Sequence, residues 1–174
     1  DGSRIVFFSL DNEDEMSSVT LAGTLITEIA YIDGDSVLAV SEEQLAVIYD
    51  DGSSDTLCDY SGKYLSGYAI DSSSFTALVL SDYLVGNQGS IVTIDPSGKM
   101  LGTLTTDRKV LSISADGDYL AVLFSDGLVI YDKNLEEYAS FGDTAGAIGT
   151  IMRSDGTALC LTAHSASVKK AVTE

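Results

Sequence analysis

Four acidic turns recur along this chain at nearly even spacing. An aspartate followed by a small residue closes an apolar run at Asp33-Gly34, Asp71-Ser72, Asp116-Gly117 and Asp155-Gly156, with intervals of 38, 45 and 39 residues. Self-similarity at a fixed period marks a repeat architecture, and about 40–45 residues is the period of a four-stranded unit. Such a chain cannot be made of a few long elements. It has to fold as many short ones joined by tight turns. The 16 glycines fall mostly between apolar runs, and Pro96 is the only proline.

Each unit carries the same order of parts. In the clearest copy, Val110–Ser114 is a first strand and Asp116-Gly117-Asp118 a turn; Tyr119–Phe124 is a second strand and Ser125-Asp126-Gly127 a turn. Leu128–Tyr131 is a third strand, Asp132–Asn134 a turn, and Glu136–Phe141 a fourth strand. Asp-Gly between apolar runs signals a hairpin, because glycine supplies the positive φ of a type I′ turn. The copy before it holds strands at Phe75–Leu80, Ser90–Ile94 and Met100–Leu104; an earlier one holds Ser36–Val40, Gln44–Tyr49 and Asp55–Cys58. At the ends only pairs remain: Arg4–Phe8 with Ser18–Leu21, read as third and fourth strands, and Ile148–Met152 with Ala158–Leu161, read as first and second. The Asn134 to Glu137 spacing has the form of a helix N-cap, but Ser140 and Gly142 follow too soon, so a turn is expected.

Alternation gives a second argument. Leu120, Val122 and Phe124 oppose Tyr119, Ala121 and Leu123, so this strand is apolar on both sides and reads as buried on both. In the fourth strand Glu137, Ala139 and Phe141 oppose Tyr138 and Ser140, a mixed pattern suited to an edge. Doubly buried inner strands with a half-exposed outer strand are what radially stacked sheets require. The expected fold is all-β: a β-propeller-like array of four-stranded antiparallel blades, about four blades' worth, with a β-sandwich or β-solenoid as the alternative. The expected organisation is one domain, 1–174, with membership of a longer propeller left open. It divides into a partial blade 1–24, blades 25–62, 63–107 and 108–144, and a partial blade 145–174.

The segments Leu45–Asp50, Ile91–Gly98 and Leu128–Asp132 share an apolar third strand, then Asp, then a turn containing Gly or Asn. In this they resemble the WD-repeat, YVTN and quinoprotein-like propeller families over nearly the whole chain. The chain is similar in style to uncharacterised bacterial propellers, which are often anchored outside the cytoplasm, and the resemblance implies an extracytoplasmic or membrane-anchored setting. There is no tryptophan. Neither the Trp-Asp signature nor the tryptophan docking motif of quinoprotein dehydrogenases is present, which argues against a quinone.

The net charge of −18, from 27 acidic and 9 basic residues, repels phosphate backbones and anionic lipid headgroups. Nucleic acid and direct membrane-surface binding are therefore not expected. The 45% apolar content identifies a globular chain. Cys58 and Cys160 fit no ligand spacing and read as free buried thiols. Asp11–Glu15 and Asp50–Asp55 are the densest acidic loops, yet neither follows the ligand order of a calcium loop. His164 is the single histidine and has no nucleophile elbow to serve. Gly142, Gly146 and Gly149 are read as lying in a turn without a basic partner, not in a phosphate loop. No catalytic, cofactor-binding or metal-ligating residue is assigned, and no cofactor is expected.

The reading that follows is a non-catalytic binding or scaffold module whose blade loops meet a protein or small ligand. Its alternative is a propeller enzyme, a hydrolase or lyase, with carboxylates at the axis. An incomplete arc or a two-chain assembly, the latter a possible homodimer, is expected over a closed four-bladed ring. The reason is that 165–172 begins another strand, which duplicates the role of Arg4–Phe8.

Overall fold

A computed structural model of the chain describes residues 2–82 and 89–171, which fall in two compact units, Asp1–Lys63 and Tyr64–Glu174. The described residues form 17 strands and no helix. Val172, the expected end of the last strand, lies outside them, as do residues 83–88 of the 63–107 segment.

In the first unit β1 (Gly2–Phe8) and β2 (Glu15–Ala22) form a hairpin. The strands β3 (Ile26–Tyr31), β4 (Ser36–Ser41), β5 (Gln44–Tyr49) and β6 (Ser54–Asp59) make an antiparallel sheet in sequence order. All six residues of β4 are buried. Val37, Ala39, Ala46 and Ile48 point to one side, where Ile5, Phe7, Val19 and Leu21 of the hairpin pack on them. At the far edge, the buried Tyr60 hydroxyl donates to the Ser41 carbonyl at 2.7 Å.

The second unit holds three sheets. The first consists of β7 (Tyr64–Asp71), β8 (Phe75–Ser81), β9 (Gly89–Ile94) and β10 (Met100–Thr106). Next come β11 (Val110–Asp116), β12 (Tyr119–Phe124), β13 (Gly127–Asp132) and β14 (Glu137–Phe141). Last are β15 (Ala147–Met152), β16 (Thr157–Thr162) and β17 (Ala166–Lys170). The terminal sheet therefore has three strands: β17 pairs along β16, with Leu159 opposite Val168.

The doubly apolar strands divide their side chains between two interfaces. From β12, Leu120, Val122 and Phe124 meet Phe75, Ala77, Val79 and Ile91 of the preceding sheet. Ala121 and Leu123, with Leu128 and Ile130 of β13, meet Met152, Ala158 and Cys160 of the following one. Each fully buried Leu or Phe contributes about 1.5–3 kcal/mol by leaving water, so both alternating sets are needed. The first strands are also tied side by side. Ser112 Oγ accepts the Thr150 N–H at 3.2 Å and Ser114 Oγ that of Met152 at 2.9 Å.

Much of the acidic content is turn chemistry. The carboxylates of Asp33, Asp51, Asp59, Asp71, Asp95, Asp132 and Asp155 each accept the backbone N–H two residues on, at 2.8–3.0 Å. This is the Asx turn, in which a short side chain replaces a backbone acceptor. The turns after β5, β9 and β13 share one further geometry, with Gly52, Gly98 and Leu135 at positive φ. Each donates its N–H three residues back, to Tyr49, Asp95 and Asp132. A type I turn followed by a left-handed residue closes a three-residue hairpin. Leu135 occupies that place at φ 65°, a conformation costing roughly 1–2 kcal/mol for a residue with a Cβ. Its side chain packs on the core between the first two sheets of the unit. Gly102 makes room for the same turn, since a Cβ there would strike the Asn134 carbonyl oxygen.

Three details differ from the sequence reading. Asp116 pairs with Tyr119, so the loop residues are Gly117 and Asp118, and only Gly117 has positive φ, at 63°. That is the pattern of a type II′ turn, not I′. Gly34 does not adopt positive φ, because Asp33 closes its turn through its carboxylate. Gly149 lies in β15 rather than a turn; a Cβ there would come within 3.8 Å of Leu161 and 4.0 Å of Ser112, so glycine suits the close approach of β11 and β15.

Candidate functional site

The residues singled out in the sequence do not converge. His164 is exposed in the β16–β17 turn, where its N–H donates to Thr162 Oγ1 at 3.3 Å. Asp11–Glu15 close the β1–β2 hairpin: Asn12 donates to Asp14 at 2.7 Å, and Glu15 pairs with Arg4. Asp51 holds Ser53 through both its N–H and its hydroxyl. Cys160 is buried, but Cys58 is only half-buried, because it lies in the outer strand β6; both thiols are free. Burial, with Asp59 beside it, pushes the Cys58 thiol up. Among the described residues, no three His, Cys, Asp or Glu side chains are grouped to hold a metal.

Among the described residues, every aspartate with a displaced pKa is displaced downward. For Asp33, Asp51, Asp95 and Asp155 the largest cause is a hydrogen bond from the hydroxyl of Ser36, Ser53, Ser97 or Thr157. Burial pushes Asp71 up, but hydrogen bonds from Ser73 and from the Gly117 N–H outweigh it. These carboxylates hold turns closed and stay ionised, the opposite of a general acid poised near neutrality.

One basic constellation stands out, at the opposite end of the strands from those turns, where β10 passes into β11. The Arg108 guanidinium lies 3.8 Å from the centroid of the Phe124 ring, and its Nε and Nη2 donate to Asp126 Oδ1 at 2.9 and 2.7 Å. The Arg108 N–H donates to Thr106 Oγ1 at 3.0 Å, and the Lys109 carbonyl accepts from Ser125 at 3.0 Å. Hydrogen bonding to Arg108 holds the Asp126 carboxyl below its usual range. The ring and the carboxylate hold the guanidinium over the Phe124 face, where the cation is attracted by the ring.

On one side of Arg108 a groove of about 160 Å³ is lined by Lys109 and by the hydroxyls of Ser66, Ser81 and Thr106. On the other side Leu104, Phe124 and Tyr131 line a shallower hollow. A guanidinium, an ammonium and the hydroxyls of Ser81 and Thr106 beside apolar surface can receive a carboxylate and the chain that carries it, while the Ser66 hydroxyl donates to the Val79 carbonyl. The sequence reading missed this place. Its signal was the adjacent pair Arg108-Lys109 in a chain with only 9 basic residues.

No protein-family model matches this chain, and no curated protein matches it in sequence. Solved structures do match in fold. The C-terminal WD40 domain of Sif2 superposes with a TM-score of 0.69 at 13% identity, over 95% of this chain and 51% of that one. BBS1N in complex with ARL6DN gives 0.61 at 12% identity, over 96% and 59%. Sqt1 of Saccharomyces cerevisiae gives 0.60 at 15%, over 99% and 53%. This chain thus spans about half the length of the structures it resembles. With three antiparallel four-stranded sheets among the described residues and WD40 and propeller-type neighbours, it has the fold of β-propeller blades.

Proposed function

We propose that this chain is a non-catalytic binding module, acting as one repeat domain over 1–174, and that it receives a segment of a partner protein at the groove beside Arg108. The observation that carries this reading is the immobilised guanidinium: Arg108 is held on Phe124 by Asp126 at the rim of a groove lined by Lys109 and hydroxyls. The segment it fits offers a carboxylate and an extended backbone. BBS1N, similar in fold, was solved in complex with another protein, ARL6DN, which supports a protein as the class of partner. The net charge of −18 supports the exclusion of nucleic acid and of anionic lipid surfaces. The structural use of the aspartates supports binding over acid–base catalysis.

Affinity capture with quantitative mass spectrometry tests the reading, with an Arg108→Ala/Lys109→Ala variant run in parallel. Partner proteins held by the wild type should be lost by about tenfold or more in the variant, a change worth about 1.4 kcal/mol, with strand content unchanged. Equal retention by both forms, or no protein retained by either, contradicts it.

A further inference from the structure

Three groups around Arg108 keep hydrogen-bonding capacity that the chain itself does not use. The Lys109 ammonium makes no ion pair among the described residues. Asp126 takes Nε and Nη2 of Arg108 through a single oxygen, which leaves the Nη1 side of the guanidinium open. The third group is Tyr131, which lines the hollow with only 7% of its surface exposed. Tyr60, the other deeply buried tyrosine, gives its hydroxyl to the Ser41 carbonyl, whereas the Tyr131 hydroxyl has no hydrogen-bond partner among the described residues. The hydroxyls sealed from solvent without a partner there are those of Ser17 and Thr24, so that of Tyr131 keeps an opening. Burial pushes it up, against the pull of Arg108, so it holds its proton near neutrality and can donate.

The two sheets that frame this place, β7–β10 and β11–β14, each have four strands and belong to one compact unit. Positive charge is not in surplus there. Asp107 and Asp126 flank Arg108 and Lys109, Asp82 follows Ser81 of the groove, and Glu137 stands opposite Tyr131. One incoming negative charge is met by the unpaired ammonium and the open side of the guanidinium. A phosphate group, near −2 at neutral pH, brings a second charge, and no other cation lines the groove or the hollow to meet it. The site is matched to a carboxylate. The hollow, about 500 Å³ and walled by Leu104, Phe124 and Tyr131, has room for a Leu or Phe side chain.

We infer that this site selects an extended segment bearing a carboxylate side chain and, two residues away, an apolar one. The inference rests on the reading of the Arg108 groove as the docking place of a partner protein, and specifies what that partner offers. In an extended chain, side chains two residues apart share a face and stand about 6.5 Å from each other. The carboxylate meets Lys109 and the Nη1 side of Arg108, and the apolar side chain enters the hollow. A backbone carbonyl of the same segment accepts from the Tyr131 hydroxyl, so main-chain bonding adds affinity while the two side chains set specificity.

The test is selection from a random displayed peptide library on the full chain, followed by calorimetric titration with capped synthetic copies of the selected peptides. The expected sequences share Asp or Glu with an apolar residue two positions away. Replacing the acid by its amide, or the apolar residue by alanine, should each weaken binding by about tenfold or more. Phosphoserine in place of the acid should also bind more weakly. Tyr131→Phe should cost about three- to tenfold in affinity and leave the unfolding midpoint unchanged, because the hydroxyl has no partner in the free chain. Peptides that need Arg108 but ignore the apolar position, bind tighter with phosphoserine or do not notice Tyr131→Phe overturn this inference and leave the Arg108 reading standing. Peptides held equally by the Arg108→Ala/Lys109→Ala variant, or no peptide selected at all, overturn both.

Discussion

The sheets β11–β14 and β15–β17 are built from one pattern and live in different surroundings. In the first, β12 is apolar on both faces and both are covered, so Leu120, Ala121, Val122 and Leu123 are all fully buried. In the second, Ala158 and Cys160 of β16 are buried against the preceding sheet, while Leu159 and Leu161 on the other face are only half-covered. The local code is therefore the same in both, and burial is decided by whether a neighbour stands on each side. A repeat unit here is stable through its interfaces more than through its own contacts.

The sharpest way to break that comparison is to remove one methyl-rich side chain from each sheet on the same forward face. Leu123→Ala should cost about 2–5 kcal/mol, because the side chain is wholly enclosed and leaves a cavity. Val168→Ala should cost less than about 0.5 kcal/mol, since a mostly exposed side chain has little burial to lose. Urea unfolding at concentrations where the chain is monomeric measures both. Similar costs would mean that the two faces are equally covered.

A smaller effect probes the turns that align the sheets. Gly117 has φ 63°, a Cβ on it would stand 3.2 Å from Ser154 of the next turn, and its N–H donates to Asp71 at 2.7 Å. Gly117→Val should destabilise by more than about 1 kcal/mol. Gly142 has no heavy atom within 4 Å of a Cβ and no positive φ, so Gly142→Val should cost much less. Equal losses would remove the assignment of Gly117 to a strained inter-sheet turn.

The smallest expected effect is a change in slope with pH. Asp33, Asp51, Asp95 and Asp155 are lowered from the ordinary 3.8 by hydrogen bonds present only in the folded chain. A depressed folded pKa gives stability that is present above the unfolded value and lost as pH falls through the folded one. The contribution of these turns should therefore be constant from pH 7 to about pH 5 and fade below about pH 4. Asp51→Asn and Asp95→Asn together keep an acceptor but remove the charge, so the acid limb of a thermal-unfolding series should flatten. An unchanged limb would show that these carboxylates do not titrate differently in the folded chain.

Much of the fold was legible in the sequence, because burial on both faces writes itself as an uninterrupted apolar run. Tyr119–Phe124 and Gln44–Tyr49 are strands with those limits. The outer strand β14, with Ala139 and Phe141 half-buried, was legible from its mixed pattern. Turn geometry was less so. Asp-Gly pairs signal a turn, but whether glycine or the aspartate carboxylate closes it depends on register, which is why Gly34 and Gly117 differ. Leu135 at positive φ could not be foreseen, since packing rather than local preference holds it there. The groove was hidden for a plainer reason: Arg108, Phe124 and Asp126 meet only when β11 and β12 pair, and no motif records that.

The central claim, that inner strands are buried on both faces while outer strands face solvent, is tested most directly by residue-resolved amide hydrogen exchange under native conditions. The account predicts slowest exchange in β4, β5, β8, β9, β12 and β13, and much faster exchange in the outer strands β6, β10 and β14, which open at lower free energy. Outer strands as protected as β12, or protection concentrated outside the doubly buried strands, would contradict it.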